Sequence, residues 1–198
     1  MDKTDQTLIY YQQNAEEFYT TTVSADMHDA QSRFLACLPD GAFILDFGCG
    51  SGRDTKAFLQ KGYVVDAVDG SEELCRRASE YTGIPVRKIL FSDLADIDKY
   101  DGIWACASIL HLEKSELSEV FLRIANALKE NGILYASFKY GTFEGLRNGR
   151  YFTDFTEDTL TEFMKDVESL VIFDKWITGD VRSGREGERW INILAKRV

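Results

Sequence analysis

Apolar positions along the chain switch between short unbroken runs and spaced stripes, starting at residue 43. Phe43-Ile44-Leu45-Asp46-Phe47 is a run of strand length that ends in a glycine cluster, as a strand buried on both faces would. Asp54 to Lys61 then reads as a helix, and Tyr63-Val64-Val65-Asp66-Ala67-Val68 as a second strand. Ser71 to Thr82 reads as a second helix, because Ser71-Glu72-Glu73 offers an N-cap hydroxyl followed by acids in the first turn. A third strand is predicted near Val86 to Phe91, a fourth at Gly102 to Ala107, a long helix over Glu113 to Leu128 and a fifth strand at Gly132 to Phe138. This alternation predicts an α/β fold with a doubly wound, parallel sheet, helices on both faces and a ligand at the carboxyl ends of the strands.

The rhythm changes after Phe138. Lys139 to Asp154 is rich in glycine, aromatics and arginine and reads as a loop inserted over the sheet edge, followed by a helix at Glu157 to Asp166. Leu170 to Thr178 and Trp190 to Lys196 read as strands around a turn-rich segment holding Gly179, Gly184 and Gly187, a hairpin-like end. No internal repeat or low-complexity tract is visible.

Composition narrows the class without changing that picture. The 198 residues are 44% hydrophobic and 28% charged, which suits one globular domain over residues 1–198, with an N-terminal helical cap near residues 5–38. Met1 to Gln13 carries acids and glutamines rather than the basic and apolar regions of a signal peptide, and no window reaches the roughly 18 apolar residues of a membrane span. The chain therefore reads as cytoplasmic, with no membrane partner. Cys37, Cys49, Cys75 and Cys106 are scattered and only His28 and His111 could join them, so neither a disulfide framework nor a metal site is indicated. A net charge of -10 repels polyanions, which argues against DNA and makes a small molecule or a protein the default partner.

The candidate chemistry begins in Asp46-Phe47-Gly48-Cys49-Gly50-Ser51-Gly52, where glycine recurs at every second position between a strand and a helix. Such a loop turns tightly and exposes backbone N–H groups to a ligand that approaches closer than a Cβ would allow. A dinucleotide-binding G-x-G-x-x-G would need glycine at position 53, which is Arg53, and a phosphate-binding P-loop would need a G-K-[ST] ending, which is absent. Asp69 follows at the tip of the second strand, where a carboxylate can accept hydrogen bonds from both hydroxyls of a ribose; capping of the next helix is compatible with that role.

Ile44-Leu45-Asp46-Phe47-Gly48-Cys49-Gly50-Ser51-Gly52-Arg53-Asp54 resembles motif I of the class I S-adenosylmethionine-dependent methyltransferases. Val65 to Ser71 resembles that family's ribose-binding second strand, Phe91-Ser92-Asp93-Leu94 its adenine-binding turn, Tyr100 to Leu112 its fourth strand and outgoing loop, and Lys129 to Tyr135 its fifth strand. The resemblance runs from about Tyr10 to the end, is nearest to small stand-alone enzymes of the tellurite-resistance and small-molecule type, and implies a Rossmann-like, seven-stranded, mostly parallel sheet whose last strand, Trp190 to Lys196, is antiparallel. It implies S-adenosyl-L-methionine as cofactor. Gly48, Gly50, Ser51 and Gly52 would face its methionine portion with Asp46 in support, Asp69, Gly70 and Ser71 the ribose, and Asp93 and Leu94 the adenine. Ala107 and Ser108 would line the exit of the fourth strand, and Tyr11 and Tyr19 on an N-terminal helix would close over the cofactor, although packing onto the sheet explains both tyrosines equally well.

Methyl transfer from a sulfonium is a direct displacement, so the protein mainly aligns the nucleophile with the methyl carbon. His111 is the candidate general base, because its ordinary pKa is near neutrality, while a histidine in an Ile-Leu-His-Leu run can also simply pack and hydrogen-bond. Lys139, Tyr140, Arg147, Arg150, Tyr151, Arg182 and Arg185 are the candidate substrate-facing residues, and the arginines could together hold an anionic group. The absence of an Asn-Pro-Pro-Tyr sequence and of a Pro before Cys106 disfavours two types of DNA methylation, and no acid stands where metal-dependent catechol enzymes carry one. A small-molecule methyltransferase is the leading reading. Methylation of protein or tRNA, and a non-catalytic S-adenosylmethionine-binding module, stay open beside it, and a NAD-dependent oxidoreductase is the weaker one.

Overall fold

The computed structural model describes residues 3–198; Met1 and Asp2, the start of the acidic N-terminal stretch, lie outside the described residues. Seven strands make one sheet: β1 (Phe43–Phe47), β2 (Val64–Asp69), β3 (Val86–Lys88), β4 (Tyr100–Ala105), β5 (Leu128–Lys139), β8 (Leu170–Gly179) and β9 (Arg189–Arg197). Their order is β3-β2-β1-β4-β5-β9-β8, with β1 to β5 parallel and β9 antiparallel between β5 and β8. The expected antiparallel last strand is therefore present, and the chain reverses direction across the sheet between β1 and β4, the place where doubly wound folds open a crevice.

Alternation along the strands explains why both faces are covered. Leu45, Phe47, Ile103, Ala105, Leu134, Ala136 and Phe138 point to one face and pack with Leu117, Phe121 and Ile124 of α6 (Lys114–Ala127) and Leu160 of α7 (Glu157–Met164). Ile44, Trp104, Ile133 and Tyr135 point to the other and meet Phe34 of α3 (His28–Leu35) and Phe58 of α4 (Arg53–Gln60). Trp104 and Tyr135 are directly opposite in the β4–β5 register and stack at 3.8 Å with planes 13° apart. Ser71 caps α5 (Glu72–Thr82) by accepting from the Leu74 N–H, as the sequence suggests, and a Glu113/Glu116 capping box starts α6.

Three local expectations change. The third strand stops at Lys88, not Phe91, because its only neighbour, β2, ends at Asp69 and offers no further backbone to pair. The single N-terminal helix is three, α1 (Lys3–Gln13), α2 (Ala15–Thr22) and α3, broken at Asn14 and again before His28. The inserted loop contains a hairpin of β6 (Glu144–Arg147) and β7 (Arg150–Thr153), and it lies on α1 above the strand ends rather than over the sheet edge: Thr7 Oγ1 accepts from the Tyr151 N–H at 3.0 Å, and the Arg150 guanidinium sits 4.4 Å from the Tyr10 ring. The turn of that hairpin is Asn148-Gly149, with φ of 51° and 78°, the left-handed pair that tight hairpins favour.

The glycine loop joins this framework through Gly52, whose φ is 78° and where an added Cβ would stand 2.8 Å from Thr82 Cγ2 and 3.2 Å from Ala78 Cβ on α5. Gly52→Ala is expected to lose about 2–4 kcal/mol in urea unfolding, the sum of a left-handed backbone and an overpacked helix contact. Thr82→Ser, which removes the obstructing methyl and keeps the hydroxyl, is expected to recover part of it. An unchanged midpoint for Gly52→Ala would contradict this packing of α4 against α5.

Candidate active site

The carboxyl ends of β1, β2, β4 and β5 open into one cavity of about 1210 Å³, larger than the roughly 300–1,000 Å³ usual for a single ligand. Its floor is the glycine loop. Gly48 and Cys49 both donate to the Val68 carbonyl at 2.9 Å, and the Gly50 N–H donates to Asp69 Oδ2 at 2.9 Å. Asp69 Oδ1 accepts from the Ser71 N–H at 2.8 Å, so one carboxylate ties the loop to the start of α5, and each of its oxygens keeps a lone pair for a ligand. Burial raises the Asp69 pKa above the ordinary carboxylate value while these backbone donors pull it down. Gly48 and Gly50 have φ of 85° and 54°; an added Cβ would strike Ser108 Cβ at 2.5 Å in the first case and the Phe18 ring at 2.8 Å in the second. The loop is thus a backbone cradle that side chains would fill.

Beneath the cradle lies a buried polar cluster that sequence reasoning missed. Asp54 accepts from Arg53 Nε at 3.0 Å and its terminal nitrogen at 2.7 Å, from Gln31 Nε2 at 2.7 Å and from Trp104 Nε1 at 2.9 Å. Burial alone would raise the Asp54 pKa, but the Arg53 charge and these donors outweigh it and hold the carboxyl below its ordinary range. Asp46, close by, goes the other way: burial, and then the Asp54 charge, push its pKa up to about 8, and its visible partner is the Thr55 hydroxyl at 2.5 Å. Polar residues directly after a glycine loop were the available signal.

Of the residues singled out from the sequence, Tyr11, Gly48, Gly50, Ser51, Asp69, Gly70, Ala107, Ser108 and His111 line the cavity, as do Lys139, Tyr140, Arg147, Arg150, Arg182 and Arg185. Others do not. Tyr19 packs edge-on against Tyr81 at 6.0 Å, and Phe18 takes its place over the loop. Asp46 lies under the loop on Thr55, Gly52 faces α5, and Ser71 caps that helix. Asp93 is exposed and Leu94 is in the core, because the chain turns through a 3₁₀ helix at Phe91–Asp93, so Ile89, Leu90, Phe91 and Ser92 form that wall instead. Tyr151 presents its backbone to the site, and its hydroxyl is 3.3 Å from Glu144.

His111 is held at both ring nitrogens. A carbonyl only accepts, so the 2.6 Å contact with the Tyr151 oxygen puts the proton on Nδ1, and the Tyr11 hydroxyl donates to Nε2 at 2.7 Å. Burial, with the nearby Arg150 charge adding to it, lowers its pKa to about 4. The expected general base is therefore a neutral histidine whose lone pair is already engaged. The arginines are also mostly engaged: Arg147 pairs with Asp154 at 2.7 Å, Arg182 with Asp180 at 2.6 Å, Arg185 with Glu188 at 3.3 Å, and Lys139 with Glu188. Among the described residues Arg150 has no carboxylate partner; its terminal nitrogen donates to the Tyr11 hydroxyl at 3.5 Å.

Comparison with known proteins agrees with this geometry. Residues 44–132 match the family described as "Methyltransferase domain". That stretch, which begins in β1 and contains the glycine loop and Asp69, carries the methyltransferase-domain pattern. It is similar to YqeM of Bacillus subtilis (strain 168), provisionally named a methyltransferase, at 31% identity over 134 residues that cover 61% of this chain and 54% of that one. It is also similar to the N-terminal Xaa-Pro-Lys N-methyltransferase 1 of Ailuropoda melanoleuca, at 37% over 98 residues, covering 46% of this chain and 44% of that one. The chain thus spans about half the length of these curated relatives. Its fold matches the 1,6-didemethyltoxoflavin-N1-methyltransferase of Burkholderia thailandensis, solved with 1,6-didemethyltoxoflavin and S-adenosylhomocysteine, with a TM-score of 0.78 and 24% identity over 99% of this chain and 87% of that one.

Because the folded state holds His111 neutral with a pKa near 4 and the unfolded chain titrates near 6.5, this residue's contribution to stability is complete above about pH 6.5 and is lost as pH falls toward 4. In denaturant titrations at pH 7 and pH 4.5, His111→Gln is expected to lose less stability on acidification than the parent, by about 2 kcal/mol. Equal acid losses in the two proteins would show that His111 is not buried as a neutral ring.

Proposed function

We propose that this chain transfers a methyl group from S-adenosyl-L-methionine to a small-molecule acceptor by direct displacement, in the cytoplasm. The observation that carries the reading is the continuity of one oversized cavity. The Gly48–Gly50 cradle and Asp69 line it together with Tyr140 and Arg150, and Tyr11 lies between Phe18 on the cradle and Arg150. The cavity therefore has room for a cofactor and an acceptor side by side.

The residues present suit that cofactor. Asp69 would accept from the two ribose hydroxyls with its remaining lone pairs, the bare backbone of Gly48 and Gly50 would lie against the methionine portion, and Ile89, Leu90 and Phe91 would form the apolar wall for the adenine. When bound, the cofactor supplies a methyl carbon on a sulfonium, a leaving group that needs no further activation. The chain's contribution is then alignment and exclusion of water, which can be worth up to roughly 7–11 kcal/mol. Tyr11 stands at the junction of the two halves, with its ring 5.1 Å from Phe18 above Gly50 and its hydroxyl on His111.

Two things favour a small acceptor. Helix α1 and the β6–β7 hairpin cover the strand ends, leaving less access for a folded protein or RNA, and the Burkholderia fold relative holds a small heterocycle. A protein substrate is the named specificity of the Ailuropoda relative, but the likeness to it covers under half of this chain. The four cysteines, all free, suit a reducing compartment, and no helix among the described residues is long and apolar enough to cross a membrane.

S-adenosylmethionine and S-adenosylhomocysteine, but not NAD, are expected to raise the melting temperature. Asp69→Ala is expected to weaken their binding about ten- to hundredfold by calorimetry, the effect of losing charge-assisted hydrogen bonds. Incubated with methyl-labelled cofactor and fractionated cell extract, the protein should place label in the small-molecule fraction. Label mainly in RNA or protein would overturn the acceptor class, and stabilisation by NAD alone would overturn the cofactor.

A further inference from the structure

Among the described residues, the cavity lining holds one half-buried arginine without a carboxylate partner. Of the arginines among the described residues, Arg33, Arg53, Arg76, Arg77, Arg87, Arg123, Arg147, Arg182, Arg185 and Arg197 each have a carboxylate partner. Arg150 and Arg189 have none, and Arg189 is exposed at the rim against the Tyr140 ring. Arg150 is half-buried in the lining, and its Nε is buried without a hydrogen-bond partner. It is held in place by aromatic faces, at 4.4 Å from the Tyr10 ring, 5.7 Å from Tyr11 and 5.2 Å from Phe152. Fixing a guanidinium among rings without a counter-anion is costly, since a half-buried cation loses hydration. The neighbouring Arg147 was given Asp154; Arg150 was not.

The second observation is the state of His111. Its Nδ1–H is spent on the Tyr151 carbonyl and its Nε2 lone pair on the Tyr11 hydroxyl. A proton arriving there would make an imidazolium inside the fold, beside the charge of Arg150, so His111 is not free to take a proton from a neutral acceptor. The groups that face Arg150 are Tyr10 and Tyr11 from α1, His111 and Phe152, and Asp69 acts on Tyr11 from the cofactor side.

We infer that the acceptor is taken as its conjugate base, an aromatic or heterocyclic acid whose ionised oxygen or nitrogen is neutralised by Arg150. This rests on the methyltransferase reading and deepens it. The acidic proton goes to solvent before or as the acceptor binds. In the transfer the lone pair of the anion forms the new bond to the methyl carbon, the carbon–sulfur bond breaks with its pair retained by sulfur, and an anion and a sulfonium become two neutral products. No enzyme base takes part. Flat acceptors are favoured because the rings around the guanidinium that line the cavity, Tyr11 and Phe152, are aromatic.

The test uses the full-length protein saturated with S-adenosylhomocysteine and para-nitrophenol as probe, whose ionised and neutral forms have distinct absorption bands. Below the probe's own pKa, binding is expected to develop the ionised band. Its methyl ether, para-nitroanisole, which has the same outline and cannot ionise, should bind at least tenfold more weakly. Arg150→Leu is expected to lose roughly ten- to hundredfold in probe affinity, and Arg150→Lys to keep most of it together with the ionised band. Binding with the neutral spectrum, equal affinity for the ether, undiminished binding by Arg150→Leu, or no saturable binding would each overturn the inference. Stabilisation by S-adenosylhomocysteine, measured on each variant, shows that it is folded. Loss of that stabilisation in the parent protein would instead overturn the methyltransferase reading. Should Arg150→Leu not fold, the parent spectrum and the ether comparison still decide.

Discussion

The carboxylate of Asp54 is the constraint around which the site is built. A buried charge is tolerable only when fully paired, and Asp54 gathers donors from three directions: Arg53 at the start of α4, Gln31 on α3 and Trp104 on β4. Helix entry, cap helix and central strand are thereby fixed to a common point directly beneath the glycine loop. Removing one partner of such a group typically costs about 3–5 kcal/mol, because the remaining charge is left uncompensated. The same ionised Asp54 explains its neighbour. Two carboxylates in one dry space do not both ionise readily, and Asp46 is the one pushed toward the neutral form.

Above that anchor the cavity is closed by polar contacts that join distant parts of the chain. Tyr11 from α1, His111 after β4 and the Tyr151 backbone on the hairpin form one hydrogen-bonded line, and Thr7 repeats the α1–hairpin link one turn earlier. The Leu8 side chain reaches Gly70, where an added Cβ would meet it at 2.6 Å, so α1 touches the cofactor side as well. A cover held by hydrogen bonds and ring contacts, rather than by a thick apolar core, is of the kind that opens at modest cost. That is what a cavity of this depth needs if ligands are to enter and leave.

The strands and helices of the central sheet were legible because each carries a local signal with a local cause. The central stretches of β1, β4 and β5 are mostly apolar since both faces are covered, and the Ser71 cap announces α5. Where the signal depended on a neighbour, it was lost. The end of β3 is set by where β2 stops, and nothing within residues 86–91 encodes that. The hairpin was legible in principle, since Asn148-Gly149 is the pair that a tight two-residue turn demands, but the surrounding glycines and arginines read as a loop. In the site, the tight glycine loop and the place of Asp69 at the tip of β2 were readable because a strand that runs into alternating glycines has a sequence form. Gly52 sits in the same motif and performs a packing task, which only the position of Thr82 discloses. The pairing of Arg147, Arg182 and Arg185 depends on Asp154, Asp180 and Glu188 and changes what a basic stretch means.

The balance of charge gives the acceptor end its character. The chain as a whole carries -10, yet the cavity lining at that end combines paired arginines with Arg150 unpaired. A sulfonium cofactor would bring a second positive centre into the same enclosed space. Two cations behind aromatic walls repel one another more strongly than in water, since the screening is weaker there. Protein carboxylates could offset this, but Asp69 is committed to the loop and to the ribose side, Asp154 to Arg147, and Asp46 is driven toward neutrality. Under the proposal above, further negative charge arrives with the acceptor. An anion placed between guanidinium and sulfonium would relieve both in the bound state, and because transfer neutralises the anion that relief aids binding and alignment rather than the chemical step itself.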